Sequence, residues 1–344
     1  MRLTISWRTS GKLAGLLLVL AVLVLLPLVI RSPYLIHLLI MTFIGVVLGM
    51  TFSMLFSTGL ITLGAAAFYA IGAYTSALLT LNAGLSFWLA LPLATLMAGV
   101  IALLLGSIIV RNPGVAFVVI TFIFNAVVVE AAGGLRQLGG WGGILGIPRP
   151  DPIPLPFYGP VEFITKTPYY YLMLALLLLI MLVFYALYNS RIGRAWRAIK
   201  LSPALAETLG INLYRYRLLA FVIASSAAGV AGSFYAHYFQ SIIPEAFGGW
   251  TSIYIQLYSV LGGLDFYLLG PAIGAAIMTF LPEFLRVAKE IEPLITGALL
   301  VMIILFFPGG ILGTLRQFPR LGPASLSARL GEIKNWLLSG RNLR

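Results

Sequence analysis

The chain reads as an all-α integral membrane protein of about ten transmembrane helices, and three observations predict this. Hydrophobic residues make up 60% of the 344 positions and charged residues only 9%, where a soluble domain is about 25% charged. Mean hydropathy is +1.02. The apolar residues fall in runs of the length that crosses about 30 Å of hydrocarbon at about 1.5 Å per residue, and the basic residues gather mostly in the segments between them. Composition also excludes. Without Cys there is neither a disulfide framework nor a thiolate metal site, and two His leave little for an imidazole site. The net charge of +12 fits a membrane face, not nucleic acid, because the basic groups flank apolar runs. The 36 Gly and 19 Pro are compatible with spans that bend or break where neighbouring helices satisfy the freed backbone groups.

The first run, 13–30, follows MRLTISWRTSGK. The bulky stretch 27–34, with Arg31, offers no small-residue cleavage site, so this run is expected to be a retained span and not a signal peptide. The others lie near 34–56, 60–81, 86–110, 115–132, 168–188, 216–239, 251–268, 270–286 and 293–307. The third, eighth and ninth are Gly-rich or separated only by a Gly turn, which leaves full crossings and re-entrant or broken helices both open. If the N-terminus is inside and all ten runs cross, sixteen of the 22 basic residues face the cytoplasm. They are Arg2, Arg8, Lys12, Arg111, six within Arg191–Arg217 and six after Pro308. Arg31, Arg136, Arg149, Lys166, Arg286 and Lys289 face outward. This bias places both termini in the cytoplasm.

The third span carries small residues, among them Gly64 and Gly72, together with Phe68, Tyr69 and Tyr74. The seventh repeats the pattern with Gly229 and Gly232. Two readings stand side by side: close helix packing, or the walls of a translocation pathway. Between the fifth and sixth spans, residues 133–168 contain GGLRQLGGWGGILGIPRPDPIPLPFYGP, whose Gly and Pro exclude a long helix and favour turns with polyproline-like extension. This is either a connector or an external rim, with Gly139, Gly140, Gly143 and Gly146, that meets solute or a delivering protein.

The longest polar interruption of the second half before the tail is RIGRAWRAIKLSPALAETLGINLYRYR, Arg191–Arg217. Arg191, Arg194, Arg197 and Lys200 recur every third residue, so successive members are neighbours on a helix and suit a lipid-surface anchor. Ser202 is a good N-cap, Pro203 suits the first helical position and Gly210 the C-terminal stop. The predicted helix Pro203–Leu209 is about 10 Å long, too short to stand alone in water. It needs a surface to dock on, with Leu205 and Leu209 on one face and Glu207 as a negative handle.

Catalytic signatures are missing. The chain has no G-x-S-x-G, no H-E-x-x-H and no G-x-x-x-x-G-K-[ST] loop. His37, Glu130, His237 and Glu283 lie near predicted span ends, where interfacial or packing roles are expected. No acid or His sits deep in a span, where proton-coupled carriers commonly place one; this weakens the secondary-transporter alternative without excluding it.

The segment GRAWRAIKLSPALAETLGIN resembles the cytoplasmic coupling segment of permease subunits of ABC importers, in particular the branched-chain amino acid permeases of the LivM type. GLITLGAAAFYAIGAYTSALL (Gly59–Leu79), LGGWGGILGIP (Leu138–Pro148), PEAF (Pro244–Phe247), LGGL with GPAIGA, LPEFLR and FFPGGILG resemble further parts of that family in the same order, together covering roughly 35–313. The resemblance departs at Ala65, where relatives carry His or Gln, and at Leu138, where they carry Thr. It departs again in the stretch Gly263–Gly270, one residue longer and containing Asp265, and at Ala204, an acidic position in many importers. The resemblance implies a type II-like ABC importer permease with spans two to five repeated, inverted, as spans seven to ten. It implies a permease domain over 1–313 and a basic cytoplasmic tail over 314–344, in the cytoplasmic (inner) membrane of a prokaryote. Implied partners are a second permease of the LivH type, two ABC ATPase subunits and an extracytoplasmic solute-binding protein, with membrane lipid around the spans and no nucleic acid. ATP and Mg would be bound by the ATPases and no cofactor by this chain. Arg194, Arg197, Pro203, Ala204, Leu205, Ala206, Glu207, Leu209 and Gly210 would couple to the ATPases. Branched-chain amino acids are the family's usual cargo; urea, short amides and another amino acid are the alternatives.

Overall fold

The computed structural model describes residues 18, 20–30, 32–155, 159–285, 297 and 309–317. Apart from Gly297, the expected tenth span lies outside them, as does most of the tail. The helices are α1 Leu20–Val29, α2 Pro33–Phe56, α3 Ala65–Asn82, α4 Phe87–Ile109, α5 Val115–Gly134, α6 Lys166–Asn189, α7 Arg191–Leu201, α8 Pro203–Thr208, α9 Leu213–Phe239, α10 Gly249–Gly262, α11 Leu269–Leu285 and α12 Gly310–Gln317. By length and composition α2, α4, α5, α6 and α9 can cross a membrane. The chain is a multi-pass membrane protein.

Helix α2 is apolar on every side and buried over most of its length, which puts it at the centre. On one side of it α3, α4 and α9 pack together, and on the other α10 and α11. Small residues set these distances. A Cβ on Gly72 would collide with the Gly229 backbone, and one on Gly274 with the Tyr258 carbonyl. Without a hydrophobic drive between helices in lipid, such close approach is what holds spans together. Helices α4, α5 and α6 each keep an exposed apolar face.

Three boundaries differ from expectation. The third span starts as a helix only at Ala65, because residues 57–64 are irregular yet largely buried, with Thr58, Leu60 and Thr62 nearly inaccessible. The eighth, expected to reach 268, ends at Gly262. Gly263 takes φ +118, and Gly262 and Gly270 meet backbone to backbone, so the chain reverses there. With 14 residues, α10 is about 21 Å long, short of a crossing. The docking helix ends at Thr208, one residue earlier than expected. The third and eighth spans are thus each helical over only part of the expected length.

Residues 135–155 and 159–165 lie at the end of α6 opposite the segment Arg191–Arg217. They hold two short 3-10 turns and two small ribbons. Strands β1 (Ile144–Leu145), β2 (Ile153–Leu155), β3 (Gly159–Val161) and β4 (Ser241–Ile242) pair β1 with β4 and β2 with β3, both antiparallel. The β1–β4 pairing (Ile144↔Ile242) ties this loop to the segment after α9.

Candidate functional site

The basic face is built around α7. Ser190 caps it, its Oγ accepting from the Ile192 N–H at 3.1 Å. Ala195, Trp196 and Ile199 form its inward side. Trp196 is fully buried and donates its indole N–H to the Tyr216 carbonyl at 2.9 Å, which fixes α7 against α9. Part of the basic stripe turns inward. Arg197 donates to the Tyr188 carbonyl at 3.0 Å, and Lys200 stands 4.1 Å from the Phe56 ring centre and 3.7 Å from the Asp265 carboxylate. Arg194 reaches the Asn189 carbonyl at 3.5 Å.

The polypeptide then reverses into α8 through the caps expected of it. Ser202 Oγ accepts from Leu205 N–H at 3.4 Å, and Pro203 is the first helical residue. Gly210 sits at φ +79. Its N–H bonds the Glu207 carbonyl at 2.9 Å and the Ile211 N–H bonds the Ala206 carbonyl at 3.0 Å, the paired closure of a Schellman motif. Ala206 points inward at 1% exposure, while Leu205 and Leu209 are 61% and 72% exposed. Pro203, Ala204, Glu207 and Gly210 also face outward. The result is a short rigid ridge with two uncovered leucines.

Sequence reasoning did not find how this ridge connects to the membrane interior. Arg217, buried at 7% exposure, donates to the Thr58 carbonyl at 3.4 Å, inside the irregular stretch before α3. Tyr188 stacks on Tyr267 with ring centres 3.8 Å apart, in the reversal after α10. The segment 188–217 thus grips both broken helices. A long-range side chain to carbonyl bond leaves no mark on local sequence.

Both breaks converge at mid-depth. Helix α5, with 20 residues, is about 30 Å long and serves as a ruler. Thr121 Oγ1 accepts from Leu63 N–H at 3.2 Å, and Asn125 donates to the Phe247 carbonyl at 3.3 Å. These residues stand about 9 and 15 Å along α5. The starts of α3 and α10 therefore meet between about a third and half of the way along α5, reached from its opposite ends, where Ala66 N–H donates to Ser252 Oγ at 3.2 Å and Gln256 Nε2 to the Thr62 carbonyl at 2.9 Å. The same break five spans apart, entered from opposite sides, is the arrangement an inverted repeat generates.

Gly64, Phe68, Tyr69, Gly72, Tyr74, Gly229 and Gly232 lie beside this junction. A Cβ on Gly64 would press on the Thr121 carbonyl, and one on Gly232 would collide with that of Tyr69. Phe68 packs edge-on against Phe221 at 5.4 Å, and Phe247 seats against Tyr69 at 5.0 Å and Tyr74 at 6.0 Å. In this conformation they form a packed seam between α3, α9 and the turn before α10. A small cavity below the seam is lined by Thr51, Thr62, Ala65, Phe221 and Ser225 among others.

At the loop face Gly139, Gly140, Gly143 and Gly146 all have positive φ. Gly143 also passes so near the Ile242 carbonyl that no side chain fits. The loop is latched by His237, 1% exposed. Its Nδ1 donates to the Pro148 carbonyl at 2.7 Å, so its Nε2 accepts from Ser76 Oγ at 3.0 Å, which in turn accepts from Ser233 Oγ at 2.8 Å. Asp151 adds a second tie, accepting from Phe87 N–H at 3.3 Å. The packing role expected of His237 is realised as a hydrogen-bonded one. Its partners Ser76 and Pro148 lie 161 and 89 residues away, too distant for local pattern to reveal.

Comparison with known proteins agrees with this architecture. The family described as branched-chain amino acid transport system / permease component matches residues 34–308. The high-affinity branched-chain amino acid transport system permease protein LivM of Escherichia coli (strain K12) is 30% identical over 293 residues, covering 79% of this chain and 68% of that protein. LivH, a permease protein carrying the same system name in that organism, is 35% identical over 127 residues, 36% of this chain and 40% of its own length. A nucleoside ABC transporter permease protein, NupC of Lactococcus lactis subsp. cremoris, is 33% identical over 98 residues, 24% of this chain and 31% of its own. No solved structure matches significantly.

Proposed function

The chain belongs to the branched-chain amino acid transport system / permease component family, and from that premise we propose that it is one of two membrane subunits of an ATP-driven importer of branched-chain amino acids. The observation that carries the mechanism is the ridge of α8. Its two uncovered leucines follow α7, which Trp196 fixes against α9; Arg217 of α9 bonds the Thr58 carbonyl before α3, and Tyr188 of α6 stacks on Tyr267 in the reversal after α10. Two separate ATPase subunits, holding ATP and Mg, dock on this ridge. Their closure on ATP moves α7 and α8, and the contacts at Thr58 and Tyr267 carry the movement to the start of α3 and the C-terminal end of α10. The basic face is cytoplasmic, as its Lys and Arg excess favours, in the cytoplasmic membrane of a prokaryote. The latched loop at 133–168 faces outward and receives a solute-binding protein. The second membrane subunit is a non-identical permease of the LivH kind, since LivM and LivH carry one system name in one organism.

The test is uptake of radiolabelled leucine into proteoliposomes holding this chain, its second permease, the ATPases and the binding protein. Uptake should require internal ATP and all four components, and this chain purified alone should hydrolyse none. Uptake by this chain alone, driven by an ion gradient, overturns the reading in favour of a secondary carrier. A binding protein that takes urea, an amide or a nucleoside and no branched-chain amino acid overturns the cargo only.

A further inference from the structure

At the end of α6 opposite the segment Arg191–Arg217, a basic cleft lies apart from both the ridge of α8 and the packed seam. We infer that it binds the phosphate of an anionic phospholipid headgroup, a role that goes beyond the importer reading and does not depend on it.

The cavity, of about 310 Å³, is lined by three spans and the latched loop: His37 of α2, Arg149 of the loop, Thr165 and Lys166 at the start of α6, and Tyr238 and Gln240 at the end of α9. Each of these spans begins or ends here. Lys166 is the first residue of α6, Phe239 is the last of α9, and His37 stands about one turn into α2. A cleft where membrane helices terminate is at the level of the lipid headgroups.

Its walls are ordered by the protein itself. His37 Nδ1 and the Tyr238 hydroxyl are 2.7 Å apart, and the two rings stack with centres 5.7 Å apart. Tyr169, also in the lining, donates its hydroxyl to the His237 carbonyl at 3.3 Å. Gln240 is the non-glycine residue with positive φ among the described residues, at +57, a conformation that persists where the surrounding structure over-determines it. Here the Ile147 N–H donates to the Gln240 carbonyl at 3.1 Å, and the Pro148 carbonyl accepts from His237. Arg149 follows directly, so the contacts that latch the loop also bring its guanidinium to the cleft.

Charge selects the ligand. Arg149 is exposed and Lys166 half-buried, and among the described residues neither forms an ion pair with a carboxylate. Asp151, two residues beyond Arg149, accepts from Phe87 N–H, and Glu162 does not line the cleft. Two like charges with no carboxylate between them attract an anion, and Arg and Lys suit phosphate oxygens. A lipid supplies that phosphate at this depth, and basic pockets between spans hold lipid headgroups. Ile164 and Phe239, 65% and 39% exposed, line the same cleft and offer apolar surface where the acyl chains begin.

The test places the full chain in phosphatidylcholine nanodiscs with a minority of phosphatidylglycerol. Lipid that stays bound is counted by native mass spectrometry, and the melting midpoint is measured in parallel. The unsubstituted chain should retain phosphatidylglycerol and melt higher than in phosphatidylcholine alone. R149Q and K166Q should each weaken retention about fivefold and R149Q/K166Q about thirtyfold, the effect of one and of two basic groups at an anionic lipid surface. R149K/K166R should keep it. R136Q, which removes an exposed charge outside the cleft, should leave it unchanged. In phosphatidylcholine alone all variants should melt alike, because these positions are exposed or half-buried. Equal retention by R149Q/K166Q, or an equal loss in R136Q, overturns the site. Retention unchanged in R149Q/K166Q together with lost binding of the solute-binding protein makes the cleft a protein-docking face instead. Inorganic phosphate that raises the midpoint of the unsubstituted chain and not of R149Q/K166Q, with no lipid retained, overturns the lipid as the source of the phosphate.

Discussion

Removing the two leucines of α8 should separate the membrane subunit from its motor without unfolding it. Leu205 and Leu209 are 61% and 72% exposed. Fully burying a leucine stabilises by about 1.5–3 kcal/mol, so covering the exposed fractions on docking contributes about 1–2 kcal/mol each. Together they supply about 2–4 kcal/mol, and at about 1.4 kcal/mol per tenfold the double variant L205A/L209A should bind the ATPases about 30-fold more weakly or worse. Thermal stability should hardly move, because exposed positions away from caps change it by about 0.5 kcal/mol or less and Ala is the better helix former. The assay is titration of labelled ATPase onto nanodisc-held permease pairs, with the melting midpoint measured on the same samples. An unchanged affinity would refute α8 as the docking ridge. Loss of affinity with a collapsed midpoint would instead show that the leucines hold the fold. Gly210→Val gives an independent check, since a β-branched residue at φ +79 costs at least about 1–2 kcal/mol and opens the Schellman closure without touching either leucine. It should impair ATPase binding and uptake together.

Gly72→Leu should prevent α3 from seating on α9, because even a Cβ there meets the Gly229 backbone. Overpacking of at least about 1–3 kcal/mol predicts a lower melting midpoint or loss of monodisperse protein in detergent, and an unchanged midpoint would contradict the seam. His237→Phe removes both ring hydrogen bonds and leaves the Pro148 carbonyl and the Ser76 hydroxyl short of partners, at about 1–3 kcal/mol. Limited proteolysis within 133–168 should accelerate, with partial protection in His237→Asn, and equal rates in all three proteins would exclude the latch. Arg217→Met removes the donor to the Thr58 carbonyl while filling similar space. The Thr58 carbonyl is left without a donor, at about 1–3 kcal/mol, so the melting midpoint should fall by a few degrees while ATP-driven uptake falls much further, and full uptake would remove Arg217 from the coupling path.

Spans were readable in the sequence because the bilayer imposes a length. Any run near twenty apolar residues must be helical to satisfy its backbone, and the five long spans end within a few residues of where their hydropathy ends. The caps of α8 were readable for a local reason, since Ser202, Pro203 and Gly210 act within one turn of themselves. The broken spans were visible only as ambiguity. Gly59, Gly64 and the Gly262–Gly263 pair permit a break, but whether the chain takes it depends on Thr121 and Asn125 in another helix offering hydrogen bonds at mid-depth. The small residues of α3 likewise fit a wall or a packed seam, and the close approaches of Gly72 to Gly229 and of Gly232 to Tyr69 pack them in this conformation. The ties of Arg217, Tyr188 and His237 lie beyond any periodicity.

On the proposed reading, those ties are what would carry the action of ATPases docked at one face into the interior. A six-residue helix held only by flexible side chains would absorb a push by tilting. Helix α8 cannot do so freely, because Ala206 is seated, Trp196 is fully buried and bonded to the backbone of α9, and the Gly193 backbone lies against that of Tyr188 with no room for a side chain. Displacement of the ridge must therefore appear where the rigid unit meets something weaker. Those places are the Thr58 carbonyl, held by one long hydrogen bond of 3.4 Å, and the reversal after α10, held by a ring stack and by a Lys200–Asp265 pair whose carboxylate is 86% exposed, worth about 0–1 kcal/mol. The first joint leads to the start of α3, and the second to the C-terminal end of α10. The breaks in the third and eighth spans thus place two short segments against each other, joined there by the Ala66–Ser252 and Gln256–Thr62 hydrogen bonds and each tied to the segment 188–217.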